Sequence, residues 1–161
     1  MVTWRSALPS DDAARVLLDQ YFQARAQGFP DGPEAYRRTE PIDAEYRLPV
    51  GVFLIAEGEN LSGEPADVGC GGIRRVADGP LGARFELKHL WVLPHARRRG
   101  VGRALLDELV DRARALGGQE LVLDTHRSLD AAAALYAALG FSPIEPYNDN
   151  PNATTWLGRA L

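Results

Sequence analysis

The sequence predicts an α/β fold, a mixed β-sheet with helices packed on its faces. Three observations carry this. Short apolar runs rich in Val, Ile and Phe alternate with segments of helical period. Turns rich in glycine, proline and asparagine separate the runs. The strand–helix–strand stretch 84–125 requires a crossover, which returns the second strand parallel to the first.

The elements follow in order. Residues 11–27 read as an amphipathic helix through Ala14, Val16, Leu17, Leu18, Tyr21 and Phe22, with Ser10 as N-cap and Gly28 as stop. Residues 33–38 read as a second short helix with proline in its first turn. A strand is expected over 48–57, a turn over 60–66 and a glycine-weakened strand over 67–77. The Asp78-Gly79-Pro80-Leu81-Gly82 turn then folds a strand over 84–92 back as an antiparallel hairpin.

Val101, Leu105, Leu109 and Ala113 mark one stripe of the next helix, flanked by Leu106 and Val110, with a Glu108–Arg112 pair outside and Gly117-Gly118 as its end. A strand over 120–125 and an alanine-rich helix over 129–139 follow, the helix capped by Ser128 and stopped by Gly140. A proline-interrupted strand over 141–147, a loop over 148–152 and a strand over 154–161 complete the chain. The order is β, α, α, β, β, β, α, β, α, β, β, about six to seven strands and about four helices.

Composition narrows the function. The chain has 161 residues, 45% hydrophobic and 25% charged, which suits one soluble domain with a sizeable core. No apolar run is long enough for a bilayer, and the first five residues lack a secretory h-region, so a cytoplasmic location is expected with no membrane partner. Net charge is −4, unlike the broad positive surface of a nucleic-acid binder. The single cysteine, Cys70, excludes an internal disulfide, gives no metal cluster, and reads as a buried inert thiol.

Positive charge concentrates at Arg97-Arg98-Arg99-Gly100-Val101-Gly102-Arg103, where a helix begins after a strand. The first turn of a helix has unpaired N–H groups and partial positive charge, and glycines admit a bulky anion. A phosphate or pyrophosphate suits such a place. It is not a P-loop, which needs Lys-Ser/Thr after its last glycine, nor a dinucleotide fingerprint, whose third glycine falls at Leu105. Residue chemistry alone leaves a solvated basic loop equally open.

Leu90-Trp91-Val92-Leu93-Pro94 followed by Arg97-Arg98-Arg99-Gly100-Val101-Gly102 resembles the signature of the GNAT acetyltransferase superfamily. Ala134-Leu135-Tyr136-Ala137-Ala138-Leu139-Gly140-Phe141 resembles the same family's second block. The resemblance covers 46–147 well and the N-terminal helices by topology only. It implies one GNAT domain over 1–161, with acceptor-side helices at 1–45, an acetyl-CoA-binding core at 46–147 and a C-terminal loop and strand at 148–161. It also implies that the strands at 84–92 and 120–125 splay apart, the first with a bulge.

The implied activity is acetyl transfer from acetyl-CoA to a primary amine by direct attack in a ternary complex, with no metal and no acyl-enzyme. The amides of Arg99, Gly100, Gly102 and Arg103 would hold the pyrophosphate, with Arg97, Arg98 and Val101 beside it. Leu90, Trp91 and Val92 would pair with the pantetheine arm. Glu86 is the expected base, eleven residues before Arg97, and Tyr136 the expected general acid at the sulfur. Many relatives carry an asparagine where this chain has Leu129, leaving Asp130 as the nearest polar residue to the arm.

His89 and His126 are further candidates at the cleft, and Tyr21, Phe22, Phe29 and Tyr147 would shape the acceptor side. The acidic balance favours a cationic acceptor. A homodimer is compatible with the resemblance. The competing readings are a non-catalytic acyl-CoA-binding or regulatory module on the same fold, and a nucleic-acid contact at the arginines.

Overall fold

The computed structural model describes residues 1–161. The strand that opens the order is β1, Thr3–Ala7, and α1 follows at Asp12–Gln27. Its N-cap is Asp11, not Ser10, and Gly28 closes it as expected. Ser10 donates its amide instead to Asp43 (3.0 Å) and its hydroxyl to the same carboxylate (2.5 Å), tying α1 to the next connection. The helix expected at 33–38 shrinks to a 3-10 turn, Pro33–Ala35, because Tyr36 leaves it in an extended conformation. The structure therefore has three α-helices rather than four.

Strands β2 (Gly51–Glu59), β3 (Pro65–Gly79) and β4 (Gly82–Val92) form an antiparallel meander. The run Val52–Ala56 lacks alternation because both faces of β2 are covered. Val52 and Leu54 join the core beneath α2 (Val101–Ala115), and Phe53 and Ile55 join the core beneath α1. The stripe Val101, Leu105, Leu109 and Ala113 is buried as its period predicts. Arg112 donates to Glu108 at 2.8 Å on the outside of the same helix.

Strand β5 (Glu120–Thr125) follows, then α3 (Asp130–Ala138), the two-residue β6 (Ser142–Pro143) and β7 (Thr155–Ala160). The N-cap of α3 is Leu129, not Ser128, whose hydroxyl is held by His126 Nδ1 at 2.8 Å. Prolines 143 and 146 cut the expected 141–147 strand to two residues, since each lacks a ladder donor. The seven strands form one sheet in the order β1-β2-β3-β4-β5-β7-β6.

The β4–β5 pair is the only parallel one, and it is short. Arg84, Phe85 and Glu86 face Glu120, Leu121 and Val122, and the pairing ends there. Two causes are visible. Strand β5 stays paired with β7 up to Thr125, so it holds its course. Strand β4 instead carries a bulge: Gly72 faces Lys88 and Cys70 faces Trp91, one residue more on β4 than on β3. His89 absorbs the extra residue at φ 57, a conformation that costs a non-glycine residue energy. Beyond Glu86 the two strands diverge as the splay predicts.

Candidate active site

The split between β4 and β5 opens into a cavity of about 700 Å³. Its floor is Leu87, Lys88 and Leu90 of β4 with Leu123 and Asp124 of β5. The first turn of α3 and Tyr136 close one side, and α1 with Tyr36 closes the other.

Of the arginine-glycine run only Arg97 lines this cavity, and Arg99, Gly100 and Val101 line a separate, smaller pocket. Gly100 is the N-cap of α2 at φ 80, and Arg98 also takes a positive φ of 62. The first backbone bond of the helix runs from the Ala104 amide to the Gly100 carbonyl (2.9 Å). The consecutive amides of Arg98 to Arg103 therefore have no acceptor in the protein. A Cβ on Gly100 would meet nothing within 4 Å, and one on Gly102 only Val92 at 3.6 Å and Leu135 at 3.8 Å. Internal packing does not demand either glycine for want of space, so the room they leave faces outward. Open amides, a helix N-terminus and exposed Arg98, Arg99 and Arg103 fit a pyrophosphate.

Arg97 behaves differently from its neighbours. Its Nε donates to the Val92 carbonyl at 2.9 Å, and its guanidinium lies 4.8 Å from the Trp91 ring centroid. It braces the end of β4 and lines the cavity. Leu90 and Trp91 also line it, whereas Val92 packs behind against Gly102. At α3, Leu129 and Asp130 line the cavity too, and no side chain caps that helix start.

Tyr136 sits 5.8 Å edge-on to Phe141, and its side chain is buried. Its hydroxyl makes no hydrogen bond within the protein, yet it is not among the sealed polar atoms, so it opens to the cavity it lines. Burial pushes its pKa above the ordinary phenol value, keeping it a proton donor. Tyr36 is likewise pushed up, to about 12, by burial.

Glu86 is brought beside this group but not into the open. Only 1% of its side chain is exposed, and it does not line the cavity. Lys88 lies 3.8 Å away. The stronger contacts are Arg74, whose Nε donates at 3.0 Å, and Tyr147, whose hydroxyl donates at 2.7 Å. Asn148 then links two carboxylates, donating to Glu86 at 3.4 Å and to Asp124 at 2.7 Å. Three carboxylates line the cavity, Glu40, Asp124 and Asp130; Asp124 is the one in the β4–β5 split, with Lys88 at 3.6 Å, and Glu40 is paired with Arg15 and Arg38.

Arg74 and Asp124 were not singled out from sequence, and Asn148 only as part of the 148–152 loop expected beside Tyr147 on the acceptor side. Arg74 faces Glu86 only because the register shifts between Val76 and Gly79; counting outward from the Gly79–Gly82 pair would have put Arg75 there. Asp124 was out of reach of sequence too, because the splay alone turns it toward Lys88.

His89 lines the cavity inside a cage of rings, 5.5 Å from Tyr21, 5.4 Å from Phe22 and 6.4 Å from Tyr46. Its Nδ1 is sealed and unpartnered. Burial, reinforced by the Lys88 and Arg74 charges, lowers its pKa from 6.5 to about 3. The imidazole is therefore neutral throughout the physiological range. Between pH 6.5 and 3 the unfolded chain binds a proton there that the folded chain refuses, so this contribution to stability is present above 6.5 and declines as pH falls. His89→Asn, which tolerates the left-handed backbone, is expected to flatten that decline in urea titrations at pH 7 and pH 4.5. An unchanged pH slope relative to the wild type would contradict it.

The other expected acceptor-side residues divide. Tyr21 and Phe22 line the cavity. Phe29 and His126 stack on each other at 5.4 Å just outside it, and Tyr147 is spent on Glu86. Cys70 is buried with its thiol pushed up by desolvation and donating to the His89 carbonyl (3.5 Å), an inert environment. No helix is long and apolar enough to cross a membrane.

Comparison with known proteins agrees with this geometry. A sequence model of the Acetyltransferase (GNAT) family matches residues 14–141. An uncharacterized N-acetyltransferase of Schizosaccharomyces pombe is 31% identical over 147 residues, 89% of this chain and 84% of that protein. The N-alpha-acetyltransferase RimI of Mycobacterium tuberculosis is 39% identical over 77 residues, 48% of this chain and 46% of that protein. The crystal structure of a GNAT-family acetyltransferase from Staphylococcus aureus superposes with a TM-score of 0.73 at 18% identity, covering 99% of both chains.

Proposed function

Because the chain belongs to the acetyltransferase (GNAT) family, we propose that it is an N-acetyltransferase that moves an acetyl group from acetyl-CoA to a primary amine by direct attack within a ternary complex. The observation that carries this is the row of acceptor-less amides from Arg98 to Arg103, directly following Arg97, which lines a cavity that leads past Tyr136 into the β4–β5 split. Acetyl-CoA supplies an activated thioester. The pyrophosphate belongs on the amides of Arg99, Gly100, Gly102 and Arg103, with Arg98 and Val101 beside it. Its arm belongs along Leu90 and Trp91, where β4 has no ladder partner on its β5 side, and Asp130 stands across from it.

The remaining steps fall to this chain's own groups. An amine must lose its proton before it attacks, and of the carboxylates that line the cavity Asp124 is the one inside the β4–β5 split. Glu86 acts as a positioning residue: it orients Arg74, Tyr147 and Asn148, and through Asn148 it holds Asp124. The Tyr136 hydroxyl donates the proton to the leaving sulfur. Holding both reactants in one cavity supplies much of the rate. In this reading residues 1–45 form the acceptor side, 46–147 the donor-binding core and 148–161 a C-terminal loop and strand.

The test is a thiol-release assay with acetyl-CoA across an amine panel, run with Gly102→Ala. A methyl there makes ordinary contact with Val92, and alanine favours a helix over glycine, so the melting temperature should hold or rise slightly. The KM for acetyl-CoA should rise at least about tenfold, because the methyl occupies space kept for the anion. A variant with unchanged KM, or a protein not stabilised by CoA, would sink the proposal.

A further inference from the structure

The acceptor end of the cavity holds a charge that the transfer chemistry does not use. The cationic residues lining the cavity are Arg25, Arg37, Arg74, Lys88 and Arg97. Glu45 and Glu86 neutralise Arg74, and Asp124 neutralises Lys88. Arg97 is committed to Trp91 and Val92, and Arg37 is exposed, with its backbone tied to Asn152.

Arg25, Arg37 and Arg97 have no acid beside them, and of these three only Arg25 is withdrawn from water. It is half-buried on the last turn of α1, and its contacts are uncharged: the Tyr21 hydroxyl at 3.4 Å and the Tyr36 ring centroid at 5.6 Å. The acids of the neighbouring surface are engaged elsewhere, Glu40 by Arg15 and Arg38, and Asp19 by Arg38. A guanidinium drawn partly out of water without a counter-charge is costly, and a bound anion offsets that cost. Arg25 and Asp124 also face the same chamber from opposite signs. The phenols of Tyr21, Tyr36 and Tyr136 are each pulled down by Arg25 and pushed up by Asp124.

We infer that the acceptor is a small amine carrying its own carboxylate close to the nitrogen, an amino acid, with Arg25 binding the carboxylate while Asp124 faces the amine. This rests on the N-acetyltransferase reading and runs against the direction of the net charge, because the field inside a pocket is set by its nearest unpaired group. Tyr21, Phe22 and Tyr36 give that end an aromatic wall, so apolar side chains are the natural probes.

The experiment measures kcat/KM with phenylalanine, leucine and methionine, each against its amide and its decarboxylated amine. The amides stand for a protein N-terminus. Calorimetry of the same compounds runs in parallel, on wild type and R25Q with CoA present. The expected result is a preference of at least about tenfold for the carboxylate in one or more sets, expressed mainly in KM, which collapses in R25Q and is partly kept in R25K. Equal or better turnover of amides or amines in every set, or a preference that survives in R25Q, overturns the inference and leaves the transferase reading standing. If no amine is turned over, the calorimetry decides. Carboxylate-dependent binding lost in R25Q supports the Arg25 assignment while the transferase reading fails, and its absence overturns both.

Discussion

Tyr136→Phe is expected to lower kcat by about 100- to 1000-fold while leaving the rise in melting temperature caused by acetyl-CoA within about a degree of the wild type. The substitution removes one oxygen and keeps the ring that packs 5.8 Å from Phe141. That oxygen has no partner in the protein, so its loss strands no donor or acceptor and the fold should not weaken. What is lost is a proton held beside the cavity by a phenol whose pKa burial has raised. The same upward shift predicts that Tyr136 adds no alkaline limb to the rate profile between pH 6 and 9, since it is protonated throughout. Stopped-flow thiol release and melting curves with and without acetyl-CoA check both halves. A kcat within about threefold of wild type would remove Tyr136 from the chemistry.

The second large effect concerns the root of the split. Arg84 and Glu120 face each other at the start of the only parallel pairing, with the guanidinium donating to the carboxylate at 3.2 and 3.4 Å. Their side chains are 10% and 5% exposed. Glu120→Gln leaves a buried guanidinium without its counter-charge, at a cost of about 3–5 kcal/mol. For a chain of this length that is a fall in melting temperature of roughly 10 °C. Removing both charges together, Arg84→Met with Glu120→Leu, should recover most of the loss, since two apolar groups of similar size need no partner.

The consequence for the site follows through Tyr147. Its ring lies 5.5 Å from the Arg84 guanidinium and its hydroxyl holds Glu86, so Glu120→Gln should lower kcat as well as stability. Calorimetric unfolding of the single and double variants tests the pair. A double variant no more stable than Glu120→Gln would show that packing, rather than the stranded charge, causes the loss.

These sites differ in how far they can be read from the chain. The stripe of α2 and the β3–β4 hairpin follow from local period and turn chemistry, and the structure has both. The anion site follows from glycines at a helix start after a strand, and there the unpaired amides are a local property of any helix N-terminus. The helix ends were less legible. Ser10 and Ser128 have the chemistry of N-caps, but Asp43 and His126 compete for their hydroxyls, and neither competitor is visible as such in sequence. The short helix at 33–38 stops early: Tyr36 is extended and meets Phe29 edge-on, with ring centroids 5.7 Å apart.

Glu86 illustrates the boundary best. Its position eleven residues before Arg97 marks it in sequence, but its place opposite Arg74 depends on a register shift between Val76 and Gly79. That it lies sealed behind Asn148, with Asp124 in front, depends on a bulge at His89 and on β5 following β7 rather than β4.

By itself, then, the sequence determined the α/β class, the crossover and the anion-binding helix start, because each depends on residues near one another along the chain. Only the tertiary structure decided which carboxylates meet the cavity, which of them lies in the β4–β5 split, and that Arg25 stands there half-buried without a counter-charge. Burial and charge balance are set by which distant segments pack together, and no local pattern carries that information.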